Sequence, residues 1–213
     1  MPIKPILVGD TEMVRAILEG RKSCIRRIVK GKILWGDTVG YTGFIPAETI
    51  SGFYMLPYQV GDILYIRETW HKYTKRIGKG EECHLAEFYG YKASVANYED
   101  AHEAWKSPAS MPKEAARIFL KVTDVRLGQL QEITVDDIRN EGLSSMAVHA
   151  GDIEIALKEW KKLWNSTIKK PDLKRYGWDA NPGVWVIEFE RCEKPAESPY
   201  AWNDAIHKLT KGV

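Results

Sequence analysis

The chemistry-bearing residues of this chain crowd into one turn. Gly20-Arg21-Lys22-Ser23-Cys24-Ile25-Arg26-Arg27 places four cations within eight residues. Guanidinium and ammonium groups at this density suit a phosphate, a carboxylate or the carbonyl edge of a base. A solvated basic turn is the plainer reading of the same run. A second polar set lies on Ile63-Leu64-Tyr65-Ile66-Arg67-Glu68-Thr69-Trp70. Strand alternation puts Leu64, Ile66, Glu68 and Trp70 on one face, and Tyr65, Arg67 and Thr69 on the other. An apolar row that ends in an acid and an indole is what the mouth of a barrel or cleft looks like. Tyr65 and Trp70 offer rings on which a base can stack, core packing being the commoner use of a tryptophan.

Regular elements must hold these groups. Met13, Val14, Ile17 and Leu18 recur at helical spacing over Thr11 to Glu19, with Asp10 or Thr11 as cap and Gly20 as stop. Ile25 to Val29 is β-branched and basic, so a strand leaves the turn. Thr134 to Gly142 predicts a short helix with a Thr134/Asp137 capping box and a terminal glycine. Asp152 caps a longer helix whose Ile153, Ala156, Leu157, Trp160, Leu163 and Trp164 form an apolar packing stripe. Further strands are predicted at 3–8, 87–93 (with Gly90 as a bulge), 117–127 and 184–191, the last with Trp185, Ile187 and Phe189 on one face. Residues 72–82 and 169–182 read as loops, and 35–44 as a short hairpin. Strands outnumber helices without βαβ alternation. This predicts an α+β fold, a small mixed barrel flanked by helices. One domain spans 1–192, with insertions at about 31–60 and 95–112, the latter with one poor helix near 99–105. A Pro-, Glu- and Ser-rich tail runs from 193 to 213.

Composition narrows the function classes. The 213 residues are 44% hydrophobic and 28% charged, with a net charge of +2. That describes a soluble globular chain and excludes a polycation, so any nucleic-acid site must be a local patch. Eight tryptophans and ten tyrosines are available for a core or for stacking. Cys24, Cys83 and Cys192 are odd in number and far apart, which implies neither a disulfide framework nor a metal site. The five histidines show no ligand spacing, so no metal or cofactor is expected. The start of the chain lacks the apolar core of a signal peptide, and no apolar run is long enough for a membrane. An intracellular chain with no membrane partner is the expectation.

Four motifs carry a family resemblance: Gly20-Arg21-Lys22 followed by Arg27, Gly61-Asp62-Ile63-Leu64 leading to Arg67 and Glu68, the helix end Asn140-Glu141-Gly142, and Val184-Trp185-Val186-Ile187-Glu188-Phe189. In this order they resemble the ASCH-domain proteins of the PUA-like superfamily, in the longer form often carried by phages. The resemblance covers residues 5–191. It implies a PUA-like barrel, a cleft between barrel and helices, an RNA or nucleoside ligand, and a bacterial host cytoplasm. A compact relative that hydrolyses acetylcytidine uses a lysine, a threonine nucleophile and a glutamate. The lysine matches Lys22, the glutamate matches Glu141, and the threonine falls on Ile25, which cannot attack a carbonyl. Ser23 and Cys24 are able nucleophiles beside it. Ser23 shares the face of Ile25, two positions along; Cys24 and Arg26 are expected on the opposite side.

The resemblance implies Lys22 and Glu141 as the reactive or gripping pair. Ser23, Arg67, Glu68, Tyr65 and Trp70 are further ligand contacts. Arg27 either touches the ligand or braces the barrel by pairing with Glu68 or another acid. A cationic cleft that binds RNA or a nucleoside is the first expectation. A hydrolase of a modified nucleoside or RNA, with Lys22 as base and Glu141 as orienting acid or proton carrier, is the second, and a phage protein–protein adaptor the third.

Overall fold

Two long antiparallel strands form the centre of the fold in the computed structural model, which describes residues 3–29, 45–46, 57–79, 82–94, 104–145, 148 and 150–195. They are β7 (Phe119–Gln129) and β8 (Gly183–Cys192). Their register runs from Phe119 opposite Cys192 to Gln129 opposite Gly183, with a shift between Val122 and Asp124. Around them the sheet follows the order β1 (Ile3–Leu7), β4 (Ile63–Arg67), β7, β8, β2 (Cys24–Ile28). Only the β1–β4 pair is parallel among these neighbours. The two-residue β3 (Ile45–Pro46) lies against the far end of β7. Helices complete an α+β fold: α1 (Thr11–Leu18), α2 (Val135–Asn140), α3 (Ile153–Thr167) and the single turn α4 (Leu173–Tyr176).

Burial follows from the side-chain pattern of β8. Trp185, Ile187 and Phe189 face one core with Ile6, Ile17, Ile25, Leu64 and Leu120. Val184 and Val186 face another, with Leu130, Ile138, Trp160 and Trp164. The strand is therefore buried on both faces, as its unbroken apolar run allows. The sequence pattern pointed to one buried face; α3 covers the second.

The helix ends follow their caps. Asp10 accepts from Glu12 N at the start of α1, and Asp152 accepts from Ile155 N at the start of α3. Thr134 and Asp137 form the reciprocal capping box of α2. Gly142 ends that helix at φ +90°, a conformation that only glycine adopts readily.

Two expected loops are structured. Residues 72–82 were expected as a loop, but β5 (Trp70–Ile77) pairs along its length with β6 (His84–Tyr91) as a separate two-stranded ribbon. Its outward lysines and arginine hid the strand pattern; Lys72 finds Glu87 across the ribbon at 2.7 Å. Gly90 is no bulge, since it sits in regular register opposite His71. Residues 170–180 contain α4 and two tight helical turns rather than an open loop. The 35–44 hairpin, most of the 31–60 insertion, residues 95–103 and the tail beyond 195 lie outside the described residues. Among the described residues no helix is long and apolar enough to cross a membrane.

Candidate functional site

Backbone hydrogen bonds clasp the α1–β2 turn to the end of α2. Arg21 N and Lys22 N both donate to Ala16 O, at 2.8 and 3.0 Å. Ser23 N donates to Asn140 O at 2.8 Å, and Lys22 lies opposite Glu141 in an antiparallel bridge. Arg21 adds a side-chain bond to Gly142 O at 3.0 Å. The two turns thus deliver Lys22 and Glu141 to the same point from positions 119 residues apart.

The side chains then form a buried charge network. Lys22 Nζ sits 2.5 Å from Glu141 Oε2 and also donates to Glu141 O at 2.8 Å. Arg26 Nη1 donates to Glu141 Oε1 at 3.1 Å, and Arg26 Nη2 lies 3.3 Å from Asp137 Oδ1. Lys22, Arg26 and Glu141 are only 3–5% exposed. Charges this deep persist only when each has an opposite partner and hydrogen bonds. Two cations and two carboxylates meet that condition. Burial alone would pull the Arg26 guanidinium down; the carboxylates of Glu141 and Asp137 outweigh it and keep it a cation. Burial likewise opposes ionisation of Asp137, but hydrogen bonds from Thr134 and the charge of Arg26 hold its carboxyl below the usual range.

Arg26 was expected on the far side, and the structure reverses this. Lys22, Cys24 and Arg26 share one face of the β2 stretch, and Glu141 lies on that face. Ile25 and Arg27 take the other. A cavity of about 430 Å³ borders both faces. Among the described residues β2 pairs only with β8, so side chains of either face reach its other edge. The wall comprises Lys22, Ile25, Arg26, Arg27 and Glu141; Leu7, Val8, Gly9, Asp10 and Met13; and Trp160, Leu163, Trp164 and Thr167 from α3.

The remaining expected residues scatter. Arg27 reaches the cavity and donates from Nη2 to Leu7 O at 2.7 Å; burial pulls its guanidinium below the ordinary value. It does not brace Glu68. That carboxylate is 1% exposed and takes two bonds from Arg117, at 2.9 and 3.0 Å. Trp70 and Tyr65 pack with Met111 and Phe119 in a third apolar cluster. Arg67 ends β4, where its carbonyl accepts from Val8 N at 3.1 Å. Tyr65, Arg67, Glu68 and Trp70 are absent from the cavity wall, and so is Ser23. Sequence reasoning also missed Asp10 and the α3 wall. Trp160 and Trp164 were read as packing residues, which they are, but their stripe is wide enough to border the cavity as well. Trp164 Nε1 donates to Tyr176 O at 2.9 Å. The indole N–H of Trp160 is buried and has no partner among the described residues. Two indoles four residues apart were the available signal.

The thiol nearest the network is held inert. Cys24 is 2% exposed, and burial, reinforced by the charge of Glu141, pushes its pKa far upward. A protonated thiol is a poor nucleophile. A thiol reagent at neutral pH is expected to modify the exposed Cys83 within minutes and Cys24 only after denaturation; mass spectrometry of the labelled peptides reads this directly. Among the described residues no three His, Cys, Asp or Glu side chains gather as metal ligands do.

No family model matches this chain, and no curated protein matches it. Among solved structures, protein EF3133 from Enterococcus faecalis V583, of the DUF984 family, is similar at a TM-score of 0.43 and 10% identity. The match covers 96% of this chain and 82% of that one.

Proposed function

We propose that the chain binds a nucleoside, or the terminal nucleotide of an RNA, in the cavity bordered by Lys22, Glu141 and Trp160. The observation that carries this reading is the composition of the wall. A buried acid flanked by two cations stands at one part of it, and two indoles from α3 stand at another. A carboxylate accepts from an exocyclic amine, an ammonium or guanidinium donates to a ring carbonyl, and an indole face takes the ring. The volume, about 430 Å³, falls in the range of small-molecule sites. The Trp160 N–H, which has no partner among the described residues, offers one more donor to a ligand acceptor.

The ASCH-like reading of the fold belongs to the same proposal. The sheet path begins at β1 and ends at β2, and the Arg27–Leu7 bond links these two ends. A PUA-like barrel drawn together at that point fits the sheet order.

Binding is favoured over hydrolysis by the side chains around Lys22. Ile25 stands on the wall, Ser23 does not, and Cys24 is held protonated. Thr167 reaches the cavity but donates its hydroxyl to Trp164 O at 2.7 Å. The second reading, a hydrolase that uses water as nucleophile, is supported by the 2.5 Å contact between Lys22 and Glu141. Incubating the protein and Lys22→Ala with acetylcytidine and with labelled single-stranded RNA separates the two. Binding without turnover, weakened at least about tenfold in Lys22→Ala, is the expected result. Lys22-dependent turnover overturns pure binding. Neither signal overturns both and leaves a protein-binding adaptor.

A further inference from the structure

The β5–β6 ribbon carries a second set of aromatic and basic side chains, none of them on the cavity wall. Its register places His71 opposite Gly90, Tyr73 opposite Phe88, and Lys75 opposite Ala86, so these residues share one face. Rings follow one another along that face. Trp105 lies against His71 at 4.7 Å between centroids, His71 stacks on Tyr73 at 5.3 Å, and Tyr73 stacks on Phe88 at 5.7 Å. Gly90 makes room for this: a Cβ there would lie 1.9 Å from His71 Nε2, so the imidazole crosses the glycine. The four rings are half-buried rather than sealed in a core. Lys75 continues the row and Lys79 follows at the tip, while Arg76 points to the opposite face; all three are exposed. Lys72 is neutralised by Glu87, whereas Lys75, Arg76 and Lys79 face no carboxylate among the described residues.

The position of the ribbon matters as much as its composition. Arg67 pairs with Leu7, and its carbonyl holds Val8 N. Leu7 and Val8 are cavity wall. The chain enters the ribbon at Trp70, three residues beyond that point. The ribbon therefore leaves the sheet from the end that borders the cavity.

We propose that the ring-bearing face of the β5–β6 ribbon is a stacking platform for single-stranded RNA, with Lys75 and Lys79 on its phosphates. Bases of any identity stack on a row of rings, and cations beside the row track the backbone. Cations that meet no carboxylate among the described residues favour a polyanion over an apolar protein surface. The choice of RNA rests on the nucleoside reading of the cavity; the platform itself does not.

The test uses fluorescence anisotropy with a labelled RNA of about ten nucleotides, beside calorimetric titration with free nucleosides. Three full-length proteins are compared: wild type, Tyr73→Leu/Phe88→Leu, and Lys75→Gln/Lys79→Gln. The leucine variant is expected to bind the oligomer about tenfold more weakly or worse while keeping its nucleoside affinity. The glutamine variant is expected to flatten the log–log salt dependence by about 0.7 per lost phosphate contact. It alters only exposed side chains, so it decides the matter even if the leucine variant disturbs the hairpin. Equal oligomer affinity in all three proteins overturns the proposal, as does absence of oligomer binding by wild type. Tighter binding of single-stranded DNA of the same sequence overturns the choice of RNA. Ribbon-dependent oligomer binding without nucleoside binding overturns the cavity reading and upholds the platform.

Discussion

Glu141→Ala is expected to destabilise the fold by about 3–5 kcal/mol, read as a fall in the urea midpoint at unchanged slope. The reason lies in what remains. Lys22 and Arg26 are almost fully buried, and Glu141 is the carboxylate that meets both. Arg26 keeps Asp137 at 3.3 Å, but Lys22 is left with a backbone carbonyl. A buried ammonium without a counter-charge must draw in water or lose its proton, and either costs free energy. The double variant Lys22→Met/Glu141→Leu is expected to recover much of the loss, because an apolar pair of similar volume removes both the charge and its desolvation. Both variants are expected to lose the ligand. A charge pair retained at no gain in stability is what a binding site requires. If Glu141→Ala unfolds at the wild-type midpoint, the pair is not buried in solution and the network described above is wrong.

Gly142→Ala has the second largest expected effect. The glycine holds φ +90°, and a Cβ would stand 2.9 Å from Ala16 Cβ and 3.0 Å from Lys22 Cβ. The conformation alone costs roughly 1–2 kcal/mol. The overlap adds strain, since the two neighbours belong to α1 and to the clasped turn, giving about 2–4 kcal/mol in all. The displaced group is Lys22 itself, so ligand affinity should fall with stability. Gly20 supplies the control. It holds φ +76°, but a Cβ there would meet nothing within 4 Å. Gly20→Ala is therefore expected to cost only the conformational part, roughly 1–2 kcal/mol, and to leave ligand binding intact. Equal effects at the two glycines on binding contradict the packing argument.

Local signals in the sequence were read well where the physics is local. The caps at Asp10, Thr134 and Asp152 and the stop at Gly142 each depend on residues within one helical turn, and the structure has them all. The Lys22–Glu141 meeting was legible only through family resemblance, since the two positions are 119 residues apart. Arg26 was misplaced because alternation along a strand was counted from Ile25, whereas the acid approaches from the other face. The β6 strand was expected in part, at 87–93, but β5 was missed because a strand exposed on its outward positions carries Lys and Arg where a buried strand carries Val and Ile. Trp160 was assigned to packing because a stripe says which face of a helix is covered, not whether a gap remains under it.

In the proposed complex the base of a nucleoside lies against α3. Intermolecular nuclear Overhauser effects between a bound nucleoside and the tryptophan indoles test it most directly. Cross-peaks are expected from base protons to Trp160 and Trp164, which line the cavity, and none to Trp70, which is buried against Tyr89 in a separate cluster. Cross-peaks confined to Trp70, or none at a saturating nucleoside concentration, would contradict it.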